Sequence, residues 1–440
     1  MKKIYALFFS LALILSSCKD DKTDPVYQTL EMAVQLVYPS ASGYDAVEGV
    51  TVQMRSTSGV AYKINTDASG KADFQLPVGV YEVSATDKRK GSGKSVVFTA
   101  SQGNIVLSEG AASAISLNMV ESVISQVIIK ELYVGGCQKD DASGTFGYDK
   151  YLVLYNNSDE VAELQNLCLG MVLPYNSTIA NADVQNGVLF YEAEDWIPAG
   201  LGYFYFRDQT SLNPGEQIVV AFNNANDNTQ TYTNSVDLSN PEYYVTFDPE
   251  LFDNKSYHPS PSASIPTDHY LPGCKYGTGN AWTLSNTSPA FFLFVPENST
   301  PSAFAAYADN VSLYNGSATQ VRKKVPVEWI LDGVEVFKYG ASNNSKRLTS
   351  AIDAGSVDYN SGYGYSVYRN VDKEATESLD VNAGKLVYNY SFGTTSLNGT
   401  TDPSGIDAEA SIKLGARIIY QDTNNSGNDF HQRSQASLKD

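Results

Sequence analysis

The chain has 440 residues, with 30 Lys and Arg against 49 Asp and Glu, a formal net charge of −19. Charged residues are only 18 % and aromatics 12 % (30 Tyr, 18 Phe, 3 Trp), which excludes a globally disordered chain, since such chains are charge-rich and aromatic-poor. The acidity argues against nucleic acid as a partner, because phosphate binding needs a basic surface. Three His and four Cys leave few of the usual catalytic or metal-binding groups. The length predicts two or three domains with cores of their own.

The N-terminus reads as an address. Lys2 and Lys3 precede an apolar run from Ile4 to Leu15 that is too short to span a bilayer as a helix. It ends in Leu15-Ser16-Ser17-Cys18, which resembles a bacterial lipobox; the resemblance implies a signal peptide over 1–17 and a diacylglycerol on the Cys18 thiol. A polar, acidic tether follows over 18–28. Its Lys19-Asp20-Asp21 resembles the signal that exports Bacteroidetes lipoproteins to the outer face of the outer membrane. The implied location is the outer membrane, anchored in its lipid through the acylated cysteine and facing the exterior. Residues 1–17 carry two Lys and no acid, so the remainder holds 28 basic and 49 acidic residues, a charge of −21. No later segment approaches 18 consecutive apolar residues, which leaves the lipid as the expected anchor.

From Thr29 the hydrophobic period is two: Leu30, Met32, Val34 and Leu36, then Val50, Val52 and Met54, then Ala72, Phe74 and Leu76. Further short strands are expected around Tyr81, Phe98 and Leu117, separated by turns such as Asp67-Ala68-Ser69-Gly70, which predicts a small β-sandwich over 29–121. The order of these strands and turns resembles the carboxypeptidase-regulatory-like, prealbumin-type sandwich, which implies a spacer or docking unit without chemistry. Gly91-Ser92-Gly93-Lys94-Ser95 imitates a phosphate-binding loop. However, position 88 is Lys where that motif needs Gly, and Val96-Val97-Phe98 reads as strand instead of helix. The basic group Lys88, Arg89, Lys90 and Lys94 is therefore read as a solvated loop.

The second module runs over 122–440. Val127-Ile128-Ile129-Lys130-Glu131-Leu132-Tyr133 and Tyr151-Leu152-Val153-Leu154-Tyr155-Asn156 are core strands, followed by a Leu-rich segment ending at Leu169. This opening resembles a lamin-tail-type domain, as does the closing segment Tyr420 to Phe430; Val153 departs from the glutamate usual in that family. Gln217 to Ala221, Ala290 to Phe294 and Trp329 to Phe337 are further strands. Between about 171 and 325 Asn, Ser, Pro and Tyr dominate, and this insertion is expected to form long decorations with extra strands at one end of the sandwich. The fold class is therefore all-β: a small N-terminal sandwich, then a larger one with long loop insertions. Together the lipobox and the two modules resemble an uncharacterised Bacteroidetes surface-lipoprotein family.

Candidate chemistry is sparse. There is no Gly-x-Ser-x-Gly elbow, and a triad would have to use His258, His269 or His431, all read as loop or surface residues. The His258, Asp268, His269, Cys274 spacing fits no closed zinc site. Asp422, Asn424 and Ser426 reproduce the first half of a calcium loop, but position twelve is Arg433, so Ca²⁺ would find only a looser site there. No other cofactor is expected. With Cys18 acylated, Cys137, Cys168 and Cys274 remain; Cys168 falls in a hydrophobic strand, and a Cys137–Cys274 bridge is expected between two turn-like loops. Tyrosines offer stacking area with a hydroxyl, and Tyr203, Tyr205, Tyr243, Tyr244, Tyr363 and Tyr365 are the candidate ligand contacts, with Tyr359 and Tyr368 in the same Gly-rich stretch.

The function expected from these features is non-enzymatic: ligand capture at the cell surface, or docking on a TonB-linked outer-membrane transporter, with a glycan or an iron complex as the implied cargo. The alternatives are a structural or adhesive protein that binds another protein and a glycan-acting hydrolase built on paired carboxylates.

Overall fold

The computed structural model describes residues 29–40, 42–91, 94–123, 125–394 and 400–439. The lipobox cysteine Cys18, the export signal Lys19, Asp20 and Asp21, and the whole of 1–28 lie outside the described residues, as do Ser92 and Gly93 of the loop-like motif. No described helix is long and apolar enough to cross a membrane. The protein is all-β.

The first module is two facing sheets. In the smaller, β1 (Thr29–Val37) lies between antiparallel β4 (Lys71–Pro77) and parallel β7 (Ala114–Asn118). Met32 stands opposite Phe74 and Leu36 opposite Leu117. The larger sheet orders β3 (Ala61–Asn65), β2 (Thr51–Ser56), β5 (Gly79–Gly91), β6 (Lys94–Leu107) and β8 (Val120–Val123). The alternation read from the sequence is the burial pattern observed: Met32, Val34, Leu36, Val52, Met54, Phe74 and Leu76 are in the core. The turn before β4 needs its glycine: Gly70 has φ +77°, and a Cβ there would stand 2.6 Å from that of Ala46. Asp67 closes that turn by accepting from the Ser69 and Lys71 amides at 2.9 and 3.0 Å. β5 and β6 form one long hairpin in which Gly91 faces Lys94, so the phosphate-loop lookalike is flanked by strands on both sides. Lys88 and Arg89 stand on β5, where Arg89 pairs with Asp87 at 2.6 Å and Lys88 reaches Asp372 of the second module at 3.7 Å; they belong to a strand and not to a solvated loop.

The second module also faces two large sheets. One runs in the order Tyr270–Leu271, Tyr244–Thr246, Gln217–Phe222, Tyr151–Asn156, Val127–Tyr133, Ser366–Arg369 and Phe430–Arg433. The other runs Gly273–Lys275, Gly202–Tyr205, Cys168–Met171, Ala290–Phe294, Ile330–Lys338 and Val357–Tyr359. Between them lies one core containing Ile129, Leu152, Leu154, Leu169, Phe204, Phe222, Trp282, Phe291 and Val334. The strands Val127–Tyr133 and Tyr151–Asn156 are buried at every position, because segments from 225–265 and from 386–420 cover the outer face of their sheet. The stretch 171–325 carries the expected strands, and they are built into the main sheets as well as into decorations at one end. It supplies strands Gly202–Tyr205, Gln217–Phe222 and Ala290–Phe294 to the two sheets, and a third, three-stranded sheet of Trp196–Gly200, Val321–Pro326 and Val311–Leu313. Only its polar runs remain as loops.

The second module buries charge as well as aliphatics, and its buried arginines and Lys130 are paired. Arg347 grips Glu335 through Nε and Nη2 (2.9 and 2.6 Å), while the Arg347 and Leu348 amides donate to the other carboxylate oxygen. Arg369 pairs with Asp332 at 2.5 Å, and Arg322 with Asp183 at 2.5 Å. Lys130 donates to Gln217 and pairs with Glu409, both at 2.6 Å, with the rings of Tyr155, Tyr368 and Tyr420 all within 6 Å. Removing one partner of such a buried pair costs far more than an exposed pair contributes, because the remaining charge stays out of water.

The expected Cys137–Cys274 bridge is not formed. Cys137, Cys168 and Cys274 are all free and buried. The reason is topological: Cys137 pairs with Phe146 in a two-stranded ribbon, while Cys274 sits opposite Tyr203 in the six-stranded sheet. Cys168, as expected, is a buried strand residue in that same sheet.

Candidate functional site

The tyrosines singled out from the sequence separate into two populations. Tyr203 is 0 % exposed; its hydroxyl donates to the Pro301 carbonyl at 2.6 Å and its ring meets Phe294 edge-on, so it is a core residue and not a ligand contact. Tyr205 shares a 3.1 Å hydrogen bond with Ser302. Tyr244 stacks on His269 at 4.2 Å, its hydroxyl 3.2 Å from that of Thr210, and Tyr243 packs on the outer-face cluster of the seven-stranded sheet. Tyr359 and Tyr368 are buried, donating to the Tyr365 carbonyl (2.8 Å) and to Glu409 (2.7 Å). Only Tyr363, 51 % exposed and stacked on Tyr365 at 5.5 Å, presents its ring openly.

Sequence reasoning missed the residues beside it. Phe146, Tyr148, Tyr232 and Tyr257 form a row of rings at the loop end of the second sandwich. Phe146 stacks on Tyr232 with centroids 4.3 Å apart, Tyr148 lies 5.9 Å from Phe146, and Tyr257 lies 6.2 Å from Tyr148. Tyr148 and Tyr257 are 47 % and 43 % exposed. The Tyr363 loop is tied alongside, since the Gly362 and Gly364 amides donate to the carbonyls of Gly135 and Gly136. Gly136 itself, at φ +66°, runs against the Phe146 carbonyl where no side chain fits.

The row is held from below by buried polar groups that follow its rings in the chain. Asp149 accepts from the Asn224 and Asn228 side-chain amides (3.0 and 2.8 Å) and from the Ser235 hydroxyl, fastening the loop that carries Tyr232 to the root of Tyr148. Lys150 donates to the Thr283 hydroxyl (2.9 Å) and the Leu284 carbonyl (2.5 Å). His258, next to Tyr257, accepts from the Trp282 amide at 3.1 Å and stacks on Phe252. Burial pushes the Asp149 carboxyl up to about 6, the Lys150 ammonium down to about 7 and the His258 imidazole down to about 4. Local signals exist in hindsight: an exposed aromatic followed directly by a buried polar residue, as in Tyr148-Asp149-Lys150 and Tyr257-His258.

Beside the row lies an open groove of about 480 Å³, lined by Asn176, Thr178, Thr283, Ser285, Asn286 and Thr287, with Tyr175 and Lys338. Asn286 donates to the Gly147 carbonyl at 3.1 Å, so groove and row share the Phe146–Tyr148 segment.

Two other concavities have different chemistry. A polar cleft of about 480 Å³ between the modules is lined by residues such as Gln53, Lys63, Thr86, Asn370 and Thr423, and is crossed by the Lys88–Asp372 pair and by an Asn428–Thr86 hydrogen bond of 3.2 Å. A pocket of about 420 Å³ carries Glu121, Asp195, Glu328 and Asp332 around Ile330 and Ile352. Asp332 is neutralised by Arg369 at its back, which leaves the exposed acids as a solvated rim.

The calcium expectation meets a loop whose oxygens are engaged. Asp422 accepts from Arg369 at 3.3 Å, the Ser426 hydroxyl donates to Asp353 at 2.5 Å, and Asp429 takes the Thr423 amide and hydroxyl. Asn424 turns the backbone at φ +50°, and its carbonyl accepts from the Ala354 amide. Among the described residues no three His, Cys, Asp or Glu come together as a metal group. His258 and His431 are buried, His431 between Asn370 (2.7 Å) and Tyr390 (2.6 Å). Both are read from the sequence as loop or surface residues: His258 does lie in a loop, though a buried one, whereas His431 stands inside the strand Phe430–Arg433.

No curated protein matches the sequence. Residues 213–389 match the model of a family described as protein of unknown function (DUF4876). Among solved structures, the chain is similar to a DUF4876 family protein from Bacteroides thetaiotaomicron. The TM-score is 0.51 at 18 % identity, covering 91 % of this chain and 94 % of that one. At that identity the likeness concerns the fold. The stretch that matches the DUF4876 model, 213–389, supplies Tyr232, Tyr257 and much of the groove, within an all-β fold similar to that of the Bacteroides protein.

Proposed function

We propose that this is a surface-exposed outer-membrane lipoprotein without catalytic activity, anchored through Cys18. It captures a ligand at the loop end of its second sandwich, alone or beside a TonB-linked transporter. In this reading the first module is a prealbumin-type spacer that stands the second, lamin-tail-type module away from the membrane. The observation that carries the proposal is the row of exposed rings on anchored loops. Large rings left open to water on rigid supports suit recognition, and the titratable groups beneath them, Asp149, Lys150 and His258, are buried and engaged in fastening the loops.

The test is made on intact cells. Radiolabelled palmitate should enter the wild-type chain and not Cys18→Ala, and external protease should digest the wild-type chain while the cells stay sealed. A tagged chain should recover an outer-membrane transporter or a surface ligand. A chain that stays unlabelled and protected from protease overturns the proposal.

A further inference from the structure

The row and the groove beside it have the two halves of a carbohydrate-recognition chemistry. A pyranose presents apolar C–H faces that pack on aromatic rings and a rim of hydroxyls that need neutral donors and acceptors. The row supplies the first: Phe146, Tyr148, Tyr232 and Tyr257 are linked ring to ring by 4.3, 5.9 and 6.2 Å. The groove supplies the second, since its polar lining is almost entirely side-chain amides and hydroxyls, with Lys338 as its one charged member.

The hydroxyls divide the tyrosines in the same way. The core tyrosines Tyr155, Tyr191, Tyr203 and Tyr359 each donate to a backbone carbonyl at 2.6–2.8 Å. Those of Tyr148, Tyr232 and Tyr257 have no hydrogen-bond partner among the described residues, although their loops are fastened by Asp149, Ser235 and His258. The rings are fixed while their polar ends are left open. Such an arrangement lowers the ordering cost of binding and keeps donors for an incoming ligand.

We infer that the Phe146–Tyr148 segment, Tyr232, Tyr257 and the adjoining amide-lined groove form a binding site for an uncharged, linear pyranose chain. The Asn176 oxygen, the Ser285 hydroxyl and the Asn286 amide nitrogen are already engaged within the wall, so the chain stacks on the row and hydrogen-bonds to the Asn176 amide nitrogen, the Asn286 amide oxygen and the Thr178 hydroxyl. The near absence of charge in the groove disfavours an acidic polysaccharide or a phosphorylated ligand. A protein partner would need apolar side-chain sockets, which a groove of amides and hydroxyls does not offer. The inference deepens the proposed capture function and rests on it for its biological setting.

The experiment uses the purified chain and soluble hexasaccharides of glucan, mannan, xylan and galactan, with polygalacturonate as an acidic control. Binding is read by calorimetry and by tyrosine fluorescence. At least one neutral hexasaccharide should bind, and Tyr148→Ala and Tyr257→Ala should each weaken it by about tenfold or more. Tyr307→Ala, at an exposed tyrosine elsewhere (58 % exposed), should leave affinity unchanged. Circular dichroism and melting confirm that the variants are folded, and the two ring variants guard against one misfolding. Four outcomes overturn the inference: no response from the panel, binding indifferent to both ring variants, binding to polygalacturonate alone, or capture of a protein through the row without any glycan response. Glycan binding by a chain that never reaches the cell surface would remove the proposed location and leave the site. A surface-exposed chain that binds no glycan would do the reverse.

Discussion

The middle of the second sandwich and its loop end both bury ionisable side chains, and they do so in opposite ways. In the middle, the buried arginines meet opposite charges: Arg347 with Glu335, Arg369 with Asp332, Arg322 with Asp183. At the loop end, Asp149, Lys150 and His258 are held by amides, hydroxyls and carbonyls. Opposite charges lock strands together, although burial raises even the paired Asp332 carboxyl to about 7. Neutral partners position a loop through hydrogen bonds alone, so the same burial ties strands by charge in one place and anchors loops without it in the other.

The largest test of this contrast is Arg347→Met. It strands the Glu335 carboxylate at 0 % exposure and frees the Pro174 and Ser288 carbonyls, and it should cost about 3–5 kcal/mol in urea unfolding. A loss no greater than that of a surface substitution would remove the frame from the comparison. Next comes Asp149→Ala, which leaves the Asn224 and Asn228 amides without their acceptor. It should cost about 1–3 kcal/mol and speed hydrogen exchange across 224–235 while exchange in Val127–Tyr133 stays slow.

The pH tests follow. Lys150 titrates near 7 when folded against 10.5 when free, so the unfolded chain holds the extra proton between those values. Its contribution therefore rises with pH across that window, with a slope of up to about 1.4 kcal/mol per pH unit, and Lys150→Met should flatten that part of the stability profile. On the acid side, His258 and His431 are lowered from 6.5 to about 4 and about 3, so stability falls as pH drops below 6.5. Asp149, raised from 3.8 to about 6, acts in the opposite sense, its contribution being lost as pH rises through 6. The smallest effect belongs to Tyr148→Ala, which should leave stability within about 0.5 kcal/mol of wild type, since the ring is 47 % exposed.

The frame was far more legible in the sequence than the site. Val52 and Met54 alternate with Gln53 and Arg55 because one face of a strand is wet, and that period survives in the letters. Val127–Tyr133 reads as a strand even with Lys130 and Glu131 inside it, because the run is short and β-branched. Tyr203 and Tyr148 carry no such mark. Which one is exposed depends on loops that return from residues 225–260 and 283–287, and loop paths have no period. Cys137 and Cys274 were misread for a related reason: both stand beside glycines that suggested turns, whereas each occupies a strand of a different sheet. Within 171–325 the apolar runs of Gln217–Phe222 and Ala290–Phe294 are legible as strands, whereas Gly202–Tyr205, only four residues long, carries too short a pattern to show.

Lys130 has a consequence for how the molecule comes to be folded. Its strand is among the first parts of the second module to be synthesised, yet its counter-ion Glu409 and the ring of Tyr420 are among the last. Until residue 409 is present, this ammonium lacks the acid it pairs with. The strand cannot settle into its final surroundings early. Assembly of the second module therefore depends on pairings distant in the chain, and truncation before Glu409 should leave Lys130 buried without its acid inside the sheet as well as removing the edge strand Phe430–Arg433.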